Sequence, residues 1–176
     1  TECRRQRQMC IRDRMKATGE VLGIGKEFGT ALNKAYAAAG VEINNKEKGI
    51  FVTLSDDEKP NFIKTVNKYL ELGFTLYTTR GTGEFLKANG IDSVIVGKAD
   101  DIGKTSLTII EDKLVSLVIN TPTYANELSD GWKIRRLSHE TGVAVVSSVR
   151  EADAFIEAFL NQNLVLDDLE VIQDVS

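Results

Sequence analysis

The chain has 176 residues, of which 42% are hydrophobic and 27% charged, with only two prolines. That composition suits one compact domain plus a short extra segment and excludes disorder as the dominant state. The first fourteen residues carry Arg4, Arg5, Arg7, Arg12 and Arg14 against Glu2 and Asp13, so of the total charge of −4 this tract holds +3 and the rest −7, a balance unlike that of a general nucleic-acid binder, which neutralises phosphates with Lys and Arg.

In chain order, residues 1–14 (TECRRQRQMCIRDR) have clustered arginine but no apolar periodicity. They read as a foreign tract joined to the fold rather than as part of it. Both cysteines, Cys3 and Cys10, lie there, which leaves the body without material for a disulfide framework, a cysteine-rich zinc site or a thiol nucleophile. Residues 15–48 follow as one amphipathic helix and a polar linker. Phe28, Ala31, Leu32, Ala35, Tyr36 and Ala39 recur at helical spacing, and Gly40 reads as the stop.

From Gly49 the pattern changes to short β-branched runs separated by helical stretches. The runs are 50–54, 74–78, 93–96, 114–119 and 143–146. Between the first two, Phe62, Ile63, Val66, Tyr69 and Leu70 mark a helix; Phe85 and Leu86 mark the next, with Gly73 and Gly90 as their ends. A helix near 104–112 competes with the β-branched content of TSLTII, a fourth spans Lys133 to Thr141, and EADAFIEAFL closes the domain at 160. The tail 161–176 carries acids without bases and reads as free. Apolar runs with helix-length connections predict an open parallel sheet of about five strands, with helices on both faces. No apolar run approaches the ~18 uncharged residues of a membrane-spanning helix. With no charged-then-apolar leader at the start, the expectation is a cytoplasmic protein without a membrane partner.

In such a sheet, ligands bind beyond the C-terminal strand ends. After the second run comes Thr79-Arg80-Gly81-Thr82-Gly83 and then a helix. Glycine permits close approach of backbone N–H groups, threonine offers a hydroxyl, and a helix start supplies unpaired donors, which together suit a phosphate. The alternative is an ordinary cap, with Thr79 or Thr82 merely accepting a backbone N–H. Lys59, Lys98, and Asn120 with Thr121 stand at the other strand ends. Each alone has a plain reading as a solvated lysine or a turn; together they describe an anion site. Neither a Gly-x-Gly-x-x-Gly nor a Walker pattern is present. His139, the sole histidine, cannot form a multi-His metal site and reads as a surface residue. No carboxylate with an evident partner marks a catalytic centre, so binding is favoured over turnover and no catalytic or metal residue is assigned. Asp100 and Asp101, acids near a strand end, read as solvated loop.

The segments KGIFVTLSDDEK, GFTLYTTRGTGEFLKANGI, LVSLVINTPT and WKIRRLSHETGVAVVSS resemble the methylglyoxal-synthase-like domain that ends the large subunit of carbamoyl-phosphate synthase. MKATGEVLGIGKEFGTALNKAYAAAG resembles the end of that subunit's second ATP-binding half, with Leu22 where the family pattern has Met. The resemblance implies a C-terminal fragment of a longer subunit, with residues 49–160 as an allosteric domain that binds a nucleotide effector such as UMP or IMP. It implies effector contacts at Thr53, Lys59, Thr79, Thr82, Lys98, Asn120 and Thr121, with Gly81 and Gly83 in the same loop; Thr53 is singled out by the resemblance alone. It further implies the rest of the large subunit and a glutaminase small subunit as partners, with ATP and Mg or Mn serving the synthetase elsewhere and no cofactor in this fragment. Some members bind ornithine through a Tyr-Asp-Thr stretch, but here the place reads Val145-Val146-Ser147, which argues against it. Two other readings of the fold are a free-standing methylglyoxal synthase acting on dihydroxyacetone phosphate and an inosine monophosphate cyclohydrolase domain. The second leaves residues 15–40 unexplained.

Overall fold

A computed structural model describes residues 21–39, 48–98, 101, 103–121 and 130–160. The arginine tract, the 41–47 linker, Asp100, Pro122 with Thr123, and the acidic tail lie outside them. Contacts divide the chain into residues 42–157 and a second unit made of the residues on either side.

In the flanking unit, helix α1 is Phe28–Ala38, close to the span that the apolar spacing predicts. Gly23 and Gly25 lie directly against its backbone: a Cβ on Gly23 would collide with the Ala31 carbonyl oxygen, and one on Gly25 would come 2.7 Å from the Ala31 nitrogen. Phe28 at its start is 66% exposed and Leu22 before it 57%, while Ala31, Leu32, Ala35 and Tyr36 are half-buried.

The other unit is a five-stranded sheet, β1 (Gly49–Thr53), β2 (Leu76–Thr78), β3 (Val94–Ile95), β4 (Val115–Asn120) and β5 (Ala144–Val146), in the order β3-β2-β1-β4-β5. Every pair is parallel, with Ile50 opposite Leu76, Tyr77 opposite Val94, Thr53 opposite Asn120 and Ile119 opposite Val146. Parallel pairing needs long crossovers, and these are the helices α2 (Lys59–Glu71), α3 (Arg80–Ala88), α4 (Ser106–Glu111) and α5 (Asp130–Thr141); α6 (Val149–Leu160) follows the last strand.

Alternation along the central strands sorts the two faces. Phe51 and Val118 pack with Ile109, Ile110 and Ile134 from α4 and α5. Ile50, Val52, Leu117 and Ile119, also fully buried, point the other way by the strand period of two. Phe62, Val66 and Tyr69 of α2 and Leu86 of α3 are buried as well. Each such side chain removed from water contributes about 1.5–3 kcal/mol. The Tyr69 hydroxyl donates to the Ala152 carbonyl at 2.6 Å, which satisfies a buried phenol and ties α6 to α2.

The outer elements depart from expectation. β3 is a two-residue edge strand whose Val94 and Ile95 are exposed, although the run predicts a buried strand; β-branched residues suit an edge as well as a centre. α4 forms despite its β-branched sequence. Thr105 and Thr108 exchange reciprocal side-chain-to-backbone hydrogen bonds at its start, and burial of Ile109 and Ile110 outweighs propensity. α5 and α6 begin at Asp130 and Val149, earlier than their apolar residues indicate.

Candidate functional site

Strand order places the site. The chain moves from β1 outward to β2 and β3, then returns past β1 to β4, so consecutive connections leave in opposite directions between β1 and β4 and open a crevice beyond their C-terminal ends. The paired residues Thr53 and Asn120 stand at its base. A cleft of about 650 Å3 lies there, lined by Thr53, Thr79, Arg80, Gly81, Lys98 and Ser106 together with Val96, Gly97, Asp101, Asp130, Gly131 and Ile134. That volume is within the range of small-molecule sites.

The Thr-Arg-Gly-Thr loop builds one wall. Thr79 is extended, with φ −68° and ψ 156°, and turns the chain from β2 directly into α3. Its hydroxyl makes no capping hydrogen bond, so the plain cap reading of Thr79 does not hold, and the hydroxyl lies 3.3 Å from Thr82 Oγ1 and 3.4 Å from Thr53 Oγ1. The first N–H groups of a helix lack intrahelical partners and carry partial positive charge. At α3 they open beside two threonine hydroxyls in the cleft.

Lys59 adds a full charge. Its side chain is only 15% exposed, and its Nζ lies 2.5 Å from Asp56 Oδ1 and 3.8 Å from the place a Cβ on Gly81 would occupy. α2 therefore delivers an ammonium to the first turn of α3. The same ammonium holds the exposed Asp56 carboxyl below its usual range through hydrogen bonding and charge. Lys98 reaches the cleft from beyond β3, where its backbone N–H donates to Asp101 Oδ2 at 2.8 Å and closes the loop on itself.

The remaining candidates sit one layer below and are committed to the protein. Thr82 is buried, and its hydroxyl accepts from Leu54 N at 3.2 Å. Thr121, also buried, accepts from Ser55 N at 2.7 Å while its own N–H donates to the Thr53 carbonyl. Together they fasten the loop after β1. Asn120 donates from Nδ2 to the Gly131 carbonyl and accepts at Oδ1 from Arg135 Nη1, both at 3.2 Å, which pins the first turn of α5 to the end of β4. Gly83 faces the sheet: a Cβ there would come 2.6 Å from Thr78 Oγ1 and 2.8 Å from Ile95 Cγ1. It serves close packing of α3 rather than approach to a ligand.

Several contributors escape a sequence reading. Arg80 is an exposed cation of the cleft wall, and Arg135 reaches its margin through Asn120. Asp130 and Ser106 arrive on α5 and α4, whose starts carry no motif. After β5, Ser147 N donates to Glu151 Oε2 at 2.7 Å and Ser148 Oγ accepts from Glu151 N at 3.1 Å, an ordinary reciprocal start to α6. His139 is exposed on α5. Among the described residues no group of three or more His, Cys, Asp or Glu is placed to hold a metal, and no helix is long and apolar enough to cross a membrane.

Comparison with known proteins gives one consistent answer. The sequence profile of the MGS-like domain matches residues 61–147. The carbamoyl phosphate synthase large chain of Lachnoclostridium phytofermentans is 38% identical over 148 residues, which is 84% of this chain and 14% of that protein. The C-terminal section of the large chain of Aquifex aeolicus is 38% identical over 145 residues, 82% of this chain and 27% of the relative; that of Methanocaldococcus jannaschii is 34% identical over the same length, covering 23% of it. The chain thus spans between 14% and 27% of the length of these relatives.

Proposed function

We propose, from the premise that residues 61–147 belong to the MGS-like domain family and that the chain matches the C-terminal section of carbamoyl phosphate synthase large chains, that this domain is the regulatory part of such a synthetase. It binds a nucleotide effector, UMP or IMP, by its phosphate, and so adjusts carbamoyl phosphate synthesis for pyrimidine and arginine biosynthesis. The observation that carries this reading is the meeting of the α3 N-terminus, the Thr53 and Thr79 hydroxyls and the Lys59 ammonium at the sheet's crevice.

Each part has a defined task. The phosphate lies over the first turn of α3, where N–H donors and a cation stabilise its charge. Ribose and base occupy the remaining cleft toward Lys98 and α5. The effector regulates only by binding one conformation of the whole synthetase better than another. ATP, Mg or Mn and the glutaminase subunit belong to the parts of the assembly outside this chain. The exposed Phe28 at the start of α1 supports a neighbour there, since an apolar side chain gains by burial.

A second reading is favoured by one observation: Asp101 and Asp130 line the same cleft, so a free-standing lyase acting on dihydroxyacetone phosphate has carboxylates near its substrate. Against it, Asp101 accepts the Lys98 backbone N–H and shapes the loop. Calorimetric titration with UMP, IMP and dihydroxyacetone phosphate at one salt concentration, with methylglyoxal assayed in the same samples, separates the two. Saturable nucleotide binding without methylglyoxal supports the regulatory reading. Methylglyoxal production overturns it.

A further inference from the structure

Lys59 brings its ammonium from α2 to the first turn of α3, beside the exposed Arg80 that begins that helix, and it already has an anion. Asp56 stands one helical turn earlier, with its carboxylate at 2.5 Å from Nζ. The partners are unequal: the lysine side chain is 15% exposed and the aspartate side chain 93%. Most of the lysine side chain is thus covered by protein, while the carboxylate that pairs with it stands open to solvent. A ligand anion that reaches Lys59 over the α3 N-terminus meets a cation whose charge is already balanced.

We propose that Asp56 is a displaceable counter-ion which sets the anion affinity of the phosphate site. The inference rests on the regulatory reading above and adds a residue to it. A bound anion gains the ammonium only by exchanging for the carboxylate or by sharing the ammonium with it. For a monoanion such as acetate, that exchange replaces one single charge with another and yields little. A phosphomonoester dianion brings twice the charge and three acceptor oxygens, enough to hold Lys59 and the helix N–H groups together. The site therefore rejects abundant monoanions because Asp56 occupies their place. Removing Asp56 strengthens the binding of all anions, and the dianion at least as much as the monoanion, because a nearby carboxylate repels two charges more than one. Simple repulsion by a nearby negative charge predicts tighter binding too, but it predicts the same gain from neutralising Asp57, the next residue in the loop, which makes no ion pair with Lys59 among the described residues.

The test is calorimetric titration of the full chain and its D56N and D57N variants with inorganic phosphate, UMP and acetate at low ionic strength. The expected result is that D56N binds phosphate and UMP roughly two- to five-fold more tightly than the parent, the range an exposed ion pair supports. D57N should differ little from the parent, and phosphate should gain at least as much as acetate in D56N. Equal gains in D56N and D57N would overturn the proposal in favour of bulk charge, and weaker binding in D56N would overturn it by making Asp56 a support for Lys59. If UMP and phosphate fail to bind the parent and both variants, the regulatory reading falls and the inference with it; binding to the parent with no change in D56N removes the inference alone.

Discussion

Gly83 and Gly81 stand two residues apart in α3 and are separable by a single methyl group. At Gly83 an alanine Cβ would lie 2.6 Å from Thr78 Oγ1, 2.8 Å from Ile95 Cγ1 and 3.2 Å from Ile95 Cδ1. Ile95 is on the exposed edge strand and can swing aside, but Thr78 is fully buried and hydrogen-bonded to Ser93 Oγ at 2.9 Å. α3 must therefore shift away from the sheet. Overpacking of this kind costs about 1–3 kcal/mol, and the better helix propensity of alanine returns up to about 1 kcal/mol. The net expectation for Gly83→Ala is a loss of about 1–2 kcal/mol, a fall in Tm of roughly 2–4 °C per kcal/mol for a chain of 176 residues. At Gly81 a Cβ would meet only Lys59 Nζ, at 3.8 Å, so Gly81→Ala should fold with unchanged or slightly raised stability yet bind phosphate more weakly, because its methyl stands between ammonium and helix start. Urea unfolding and UMP titration of both variants distinguish the roles. A Gly83→Ala protein as stable as the parent would refute the packing of α3, and unaltered UMP affinity in Gly81→Ala would refute the position of the phosphate.

Thr79→Ala and Lys98→Ala should each weaken UMP binding by on the order of 1–3 kcal/mol, if each hydrogen-bonds the nucleotide directly, with little change in unfolding midpoint; unchanged affinity in both would remove the proposed site. Lys68 donates to Asp153 Oδ1 at 2.7 Å and has Glu157 at 3.8 Å, and the hydrogen bond to Asp153 raises its pKa above the ordinary 10.5. A raised lysine contributes stability that is fully present below pH 10.5 and is lost as pH climbs through the higher folded value. Both side chains are 39% exposed, so solvent screening limits the contribution to a few tenths of a kcal/mol. The urea midpoint of Asp153→Asn should thus lie slightly below that of the parent at pH 8, and the gap should close as Lys68 deprotonates in the parent.

The central sheet is legible in the sequence because β1 and β4 are buried on both faces, and Ile50 to Val52 and Leu117 to Ile119 read as unbroken apolar runs for that reason. The edge is less legible. Val94 and Ile95 carry the same side chains as the centre while standing exposed, and only pairing order tells them apart. α4 shows the reverse conflict, where β-branched residues form a helix because Thr105 caps it and the core receives its isoleucines. At the site, the turn from β2 into a fresh helix start beside threonine hydroxyls is legible, since its glycines, hydroxyls and helix start are neighbours in sequence. The separate tasks of its residues are not: that Thr82 holds Leu54 and Gly83 holds the sheet depends on contacts 28 and 12 positions away. Arg135 is hidden for the same reason, because Asn120 from a different element brings its guanidinium to the cleft.

Backbone amide shifts during a UMP titration test the account most directly. The central claim places the phosphate on the first turn of α3 beside Lys59, so the largest changes should fall on the amides of Arg80, Gly81 and Thr82, with smaller ones at Lys98 and Gly131 and none along the β3 edge. Saturable shifts centred on any other part of the sheet, with the α3 amides unmoved, would contradict it.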